Sequence, residues 1–245
     1  MSNAKSKNPA LIIMKRELKS YFSGPIAYIV TGLFLIVTGI VFFIFPYTFF
    51  AYRMAELRNF FSQLPKILAL FIPALTMRIV AEEKRSGSYE TLMTLPVTEV
   101  QMITGKYLAV LIEAMVMVAP TLFYVIVVSV FGHPDFGPIV GGFIGIIFLC
   151  ASYCAIGIFA SSLTKNQIIA FAIAAAVCFI LSVMDSTFLM FLPTPVTSLL
   201  SYLSANSHFT SISRGIIDTR DLIYFVSLTL LFLVITVKIN QNAKK

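Results

Sequence analysis

Hydrophobic residues run in long blocks along this chain, and the polar residues between the blocks fall into a few short clusters. Windows of about twenty apolar residues recur, the length a helix needs to cross a hydrocarbon core of about 30 Å. The blocks predict six spans, at about Ile26–Phe45, Leu64–Val80, Tyr107–Phe131, Ile139–Leu163, Ile168–Phe191 and Leu222–Val237. Ahead of the first span, Ala10–Phe22 reads ALIIMKRELKSYF. Leu11, Met14, Leu18 and Phe22 share one helical stripe, and Lys15, Arg16 and Lys19 lie off it, so this segment is expected to be a basic amphipathic helix in the headgroup region. Gly24-Pro25 then turns the chain into the first span.

One polar stretch, Arg78 to Lys106, stands apart from the apolar blocks on either side. Arg78 and Glu82 are four apart and are expected to pair at the end of the second span. Gly87 breaks the helix, Ser88 is placed to cap a new one, and Glu90 lies near its positive end. Tyr89, Leu92, Met93 and Leu95 give that short helix an apolar side, and Pro96 ends it. Thr98-Glu99-Val100-Gln101 has capping-box spacing for the helix that becomes the third span. A mere connector needs few residues. A short capped helix with an apolar side, held beside the membrane, suits a groove on another protein.

Composition agrees with a membrane protein: 58% of residues are hydrophobic and 12% charged, too few charges to cover a soluble domain of 245 residues. The net charge of +7 is then a membrane-sidedness signal and implies no nucleic acid. With the amino terminus inside, thirteen of the eighteen Lys and Arg fall on the inner side and five on the outer. That orients an all-α polytopic protein with both termini cytoplasmic, membrane lipid around it, and the 78–106 loop in the cytoplasm. Chain 1–245 reads as a single transmembrane domain, with the interfacial helix at 10–22 and an external segment at 194–221. The external segment is too short to cross twice, and a pair of short helices dipping into the outer leaflet fits it. The small-residue series Gly141, Gly145, Gly157 and Ser161 in the fourth span allows close helix approach. Cys150, Cys154 and Cys178 all lie inside spans and are expected to pack as small residues.

Glu82 to Val97, EEKRSGSYETLMTLPV, resembles the E-E-[KR]-x-x-G-[ST]-x-E-x-L-x-[ST]-x-P-[VIL] signature of ABC-2 type transporter permeases. Arg16–Tyr28 and Ser213–Phe225 look like the same family, so the likeness reaches both ends and the middle of the chain. It is strongest to the gliding-motility-associated and nitrous-oxide-reductase-maturation permeases. The resemblance implies the membrane half of an ABC exporter in the bacterial cytoplasmic (inner) membrane, paired with a second permease copy or a paralogue. A separate ABC ATPase subunit would bind ATP and Mg, with no cofactor on this chain. Glu82, Glu83, Arg85, Gly87, Ser88, Tyr89, Glu90, Leu92 and Pro96 would carry the coupling to that ATPase. Leu11–Phe22 would be the elbow helix, and the external helices would lie within Pro195–Asp218.

Chemistry of its own is not expected of the chain. No G-x-x-x-x-G-K-[ST] loop, H-E-x-x-H or G-x-S-x-G occurs, so neither ATP hydrolysis nor a protease or lipase site is predicted. His133 and His208 sit in different loops, a weak basis for a metal site. Glu113 and Asp185 are the ionisable residues inside spans and are functional candidates by position. Glu113 lies about two turns from Lys106, a plausible partner. The alternatives are a proton-coupled secondary carrier, which would use such carboxylates without an ATPase, and a non-transporting assembly component of the membrane. A neighbouring or co-purifying ATPase separates these from an exporter.

Overall fold

The computed structural model describes residues 8–44, 57–89, 97–132, 134–184, 194–216 and 218–242. All regular elements among them are helical. Helix α1 is Pro9–Ser23, with Asn8 capping it and Pro9 opening it, and α2 is Pro25–Phe43, again opened by a proline. Helix α3 is Arg58–Thr76 and α4 is Ala81–Ser86. Helix α5, Glu99–Val118, starts with both bonds of the predicted Thr98–Gln101 capping box. A short 3-10 turn at Ala119–Thr121, around Pro120, passes into α6, Leu122–Phe131. Helix α7 is Phe136–Leu163, α8 is Gln167–Val183, α9 is Thr194–Leu203, α10 is Ala205–Ser213 and α11 is Thr219–Asn242.

Among the described residues, five stretches are long and apolar enough to cross a membrane: Pro25–Phe43, Arg58–Ser86, Glu99–Phe131, Phe136–Leu163 and Thr219–Asn242. Gln167–Val183 is apolar but shorter. Their outward faces carry large apolar side chains such as Ile29, Leu33 and Ile36 on α2 and Ile223, Leu230 and Val234 on α11. That surface suits lipid and would be a liability in water.

Helix α7 is the axis of the bundle. It packs on α3, α8, α10 and α11, and Leu149, Tyr153, Ile156 and Ala160 along it are fully buried. Its small residues decide how near those neighbours come. A Cβ on Gly157 would stand 2.0 Å from Thr76 Oγ1 of α3, and one on Gly141 would stand 2.4 Å from the Ile212 carbonyl oxygen of α10. Only glycine permits either contact. The sequence series thus places α3 toward one end of α7 and α10 toward the other. Cys150, Cys154 and Cys178 are buried free thiols in this core.

Candidate functional site

The end of the bundle that holds α1 and α4 is organised around Lys106, in the second turn of α5. Its side chain is fully buried. Nζ lies 2.7 Å from Glu83 Oε1, 3.3 Å from Glu17 Oε1 and 3.0 Å from the Ile79 carbonyl oxygen. An ammonium has three hydrogens, and here each has an acceptor. Arg16 closes the cluster from the surface, with Nη2 at 2.6 Å from Glu17 Oε1 and 3.0 Å from Glu83 Oε1. Burial would raise the Glu17 carboxyl, but the Lys106 ammonium and the Arg16 guanidinium outweigh it and hold that carboxyl below its ordinary value.

Three separate pieces of chain meet in this cluster: α1, α4 and the start of α5. The neighbouring residue makes the meeting close. A Cβ at Gly105 would stand 2.6 Å from the Ala10 carbonyl oxygen and 3.0 Å from Ile13 Cβ, so α1 lies directly on α5. A second contact ties α1 to the end of α3. Tyr21 is buried, and its hydroxyl donates to the Leu75 carbonyl at 2.8 Å, an acceptor left over as that helix ends. The Arg78 guanidinium stands over the Tyr21 ring at 4.6 Å.

Helix α4 is fixed from the other side by α7. Ser161 Oγ donates to the Met77 carbonyl at 2.9 Å and accepts from the Val80 and Ala81 amides at 3.1 and 3.0 Å. Those amides open α4 and have no intrahelical partner, so Ser161 serves as their cap. Lys84 Nζ donates to the Ser162 carbonyl. Gly87 ends α4 with φ at +75°, the left-handed conformation that favours glycine.

Two expected pairings do not form. Arg78 does not pair with Glu82, because the chain between Thr76 and Ala81 is a turn that carries Arg78 onto Tyr21. Glu113 is buried but does not pair with Lys106, whose hydrogens are all taken; the opposite charge acting on it is that of Arg78.

The predicted coupling residues divide by direction. Glu82, Arg85, Gly87 and Ser88 are exposed. Glu83 turns inward to Lys106, and Tyr89 is buried with the Lys84 ammonium 5.4 Å from its ring centroid. Glu90, Leu92 and Pro96 lie outside the described residues, as do Asp185 and His133. The sequence reading missed Lys106 as a centre. Gly105 beside it was the available signal, since a glycine early in a helix invites close approach, but nothing in the sequence said that α1 would fill the space.

The opposite end holds a smaller polar pair. His208 of α10 and Asp221 of α11 are both buried, with Nδ1 and Oδ1 2.6 Å apart. Nε2 lies 2.9 Å from the Tyr202 carbonyl oxygen, the Tyr224 ring stacks on the imidazole at 4.1 Å, and Tyr224 Oη donates to the Leu203 carbonyl at 2.6 Å. A cavity of about 240 Å³ opens at this end, with Arg58, Phe61, Asp135, Ile139 and Arg214 among its walls.

The sequence has a match among known families: residues 55–238 fit the model of the ABC-2 family transporter protein. The chain belongs to that family. It is a multi-pass membrane protein and a transporter membrane subunit. No curated protein matches it. The region matched to the ABC-2 family begins after α1 and α2 and contains both Glu83 and Lys106. Glu17 reaches the matched region from outside it.

Proposed function

We propose that this chain is the permease subunit of an ATP-driven exporter, of the kind its 82–97 segment resembles among the gliding-motility-associated and nitrous-oxide-reductase-maturation permeases. It crosses the bacterial cytoplasmic membrane six times, with both termini and the Lys106 end in the cytoplasm. The sixth crossing is α8, which starts just after Ser162 and reaches Ser204 at the opposite end, where its Leu181 carbonyl accepts from Ser204 Oγ at 3.3 Å. The division of basic residues supports the orientation. A separate ABC ATPase subunit binds ATP and Mg and docks on the 82–97 region, and a second copy or paralogue of the permease completes the path. The chain itself performs no hydrolysis.

The single observation that carries this reading is the Lys106 cluster. A subunit that pushes on the loop following α4 moves Glu83, and Glu83 shares one buried ammonium with Glu17 of α1 and with α5 itself. Ser161 locks the same loop to α7. A displacement at the exposed Glu82–Ser88 surface is therefore passed by direct contacts to the interfacial helix and to the membrane helices α5 and α7. A proton-coupled carrier has no use for such a rigid bracket around a cytoplasmic loop.

The test is purification in mild detergent with the neighbouring subunits intact. An ATPase should co-purify, and Leu92→Asp or Glu90→Arg should release it while the permease stays folded in the membrane. Retention of the ATPase and of its activity in both variants would refute the docking assignment. Cysteines at Ser88 and Arg214, both exposed, should be labelled from opposite sides of the membrane.

A further inference from the structure

The cavity of about 240 Å³ lies where two membrane-crossing stretches begin. Arg58 opens α3, Asp135 precedes α7 and Arg214 follows α10, and all three line it. Its buried walls are apolar, Phe61 and Ile139 among them. Its charged walls, Arg58, Asp135 and Arg214, are exposed. Asp135 stands at the N-cap of α7, where an aspartate ordinarily accepts from the first free amides, yet its carboxylate makes no cap hydrogen bond. No ion pair joins it to either guanidinium.

Opposite charges that share one small cavity without touching suit a guest that carries both charges a few bonds apart. The size agrees. Pockets for drug-sized ligands run to about 300–1,000 Å³, and this one is smaller. The surroundings agree as well. From Asp135 onward, α7 presents Phe136, Val140 and Ile147 to the outside, at helical spacings that place them on one face. Phe131, at the end of α6, is exposed beside the start of that face. A charged recess at the head of an outward apolar stripe has the layout of a phospholipid, headgroup first and chains below.

We infer that this cavity holds the headgroup of a zwitterionic phospholipid of the phosphoethanolamine class, with the acyl chains along the Phe136–Val140–Ile147 face of α7. Arg58 and Arg214 take the phosphodiester, because planar guanidinium forks match phosphate oxygens better than any other side chain does. Asp135 takes the ammonium, which explains why its carboxylate is not spent on capping α7. The bound lipid ties the starts of α3 and α7 to the end of α10. The inference needs only the membrane setting of the chain and is independent of the export reading.

Native mass spectrometry of the full chain in detergent tests this. Titrated with phosphatidylethanolamine and with phosphatidylglycerol of the same acyl chains, the wild type should retain the first about tenfold more tightly. Arg58→Gln and Arg214→Gln should each weaken retention of both lipids, again by about tenfold. Asp135→Asn should erase the preference for phosphatidylethanolamine and leave phosphatidylglycerol as it was, a selective change that misfolding cannot produce. Arg220→Gln, exposed but outside the cavity, should alter neither. Glycerophosphoethanolamine, the same headgroup without chains, should fail to displace the lipid at equal concentration. Equal retention of the two lipids by the wild type, arginine variants that match it, or a preference that survives Asp135→Asn would overturn the inference. Displacement by glycerophosphoethanolamine at equal concentration would overturn the lipid assignment in favour of a soluble phosphodiester.

Discussion

The two ends of the bundle are both closed by buried polar groups, but they are built differently. At the α1 end, one ammonium is shared by two carboxylates and a carbonyl drawn from elements far apart in sequence, with a guanidinium above them. At the α10 end, one imidazole meets one carboxylate thirteen residues away. The first arrangement makes distant segments move together. The second holds two consecutive helices in a corner and transmits little beyond them. The end read as facing the ATPase is thus the one whose parts are most strongly cross-tied.

The largest effect should come from removing the shared charge. Lys106→Met keeps the volume and leaves the half-buried Glu17 and Glu83 beside each other, with only the surface Arg16 left to neutralise both. Breaking a buried pair in this way costs about 3–5 kcal/mol. The thermal midpoint in detergent should fall by about 10 °C, taking 2–4 °C per kcal/mol for a chain of this size. The triple variant with Glu17→Gln and Glu83→Gln should recover most of the loss, because no uncompensated charge remains. Recovery by neither carboxamide would mean that Lys106 acts through packing alone.

Next in size are the glycine contacts that bring each end together. Gly105→Ala and Gly141→Ala both force a Cβ onto a backbone carbonyl, that of Ala10 and that of Ile212. Backbone cannot swing aside as a side chain can, so each should cost about 1–3 kcal/mol by overpacking. The comparison predicts different readouts. Gly105→Ala should lift α1 and weaken ATPase retention. Gly141→Ala should raise amide exchange in α10 and leave ATPase retention unchanged. Equal effects on retention would erase the distinction between the ends.

Much of this was legible in the sequence, for reasons that can be named. The span blocks, the Thr98–Gln101 box, the break at Gly87 and the small-residue series on α7 are local or periodic signals, and each appears as a local or periodic feature. The apolar block of the second span starts at Leu64 while the helix already begins at Arg58; Asn59, Ser62 and Gln63 precede the apolar block without interrupting the helix. What could not be read were contacts between distant segments. Tyr21 on the Leu75 carbonyl and Ser161 on the Val80 and Ala81 amides exist because α3 ends there and leaves backbone groups unpaired. A sequence shows that a helix must end but not which side chain will satisfy its end. Lys106 was legible as a charge at a membrane boundary and not as a centre, since its three acceptors come from positions 17, 79 and 83.

A loss of similar size should follow at the α10 end. His208→Ala leaves the Asp221 carboxylate buried, with Oδ2 already lacking a partner. Leaving a buried acceptor unmet costs about 1–3 kcal/mol. The loss should be confined to the corner: amide exchange should rise across 205–225, while exchange in α1 and α4 stays as in the wild type. Faster exchange in α1 would show that the two ends are coupled after all.

The smallest effect is a dependence on pH that should appear at one end only. The Glu17 carboxyl is held below the ordinary carboxyl value of 4.5 by Lys106 and Arg16, against the opposing pull of burial. A carboxyl whose folded value is depressed contributes stability above its unfolded value and loses it as pH falls through the folded one. Wild type should therefore exceed Glu17→Gln by a constant margin, on the order of 1 kcal/mol for a charge-assisted hydrogen bond near the surface, at every pH above about 4.5. Below that value the margin should narrow as protonation removes the same charge that the substitution removes. Midpoints of thermal unfolding for both proteins, measured from pH 7 down to about pH 3, give the margin directly. A margin that stays constant over the acid range would mean that Glu17 contributes shape to the junction and no charge.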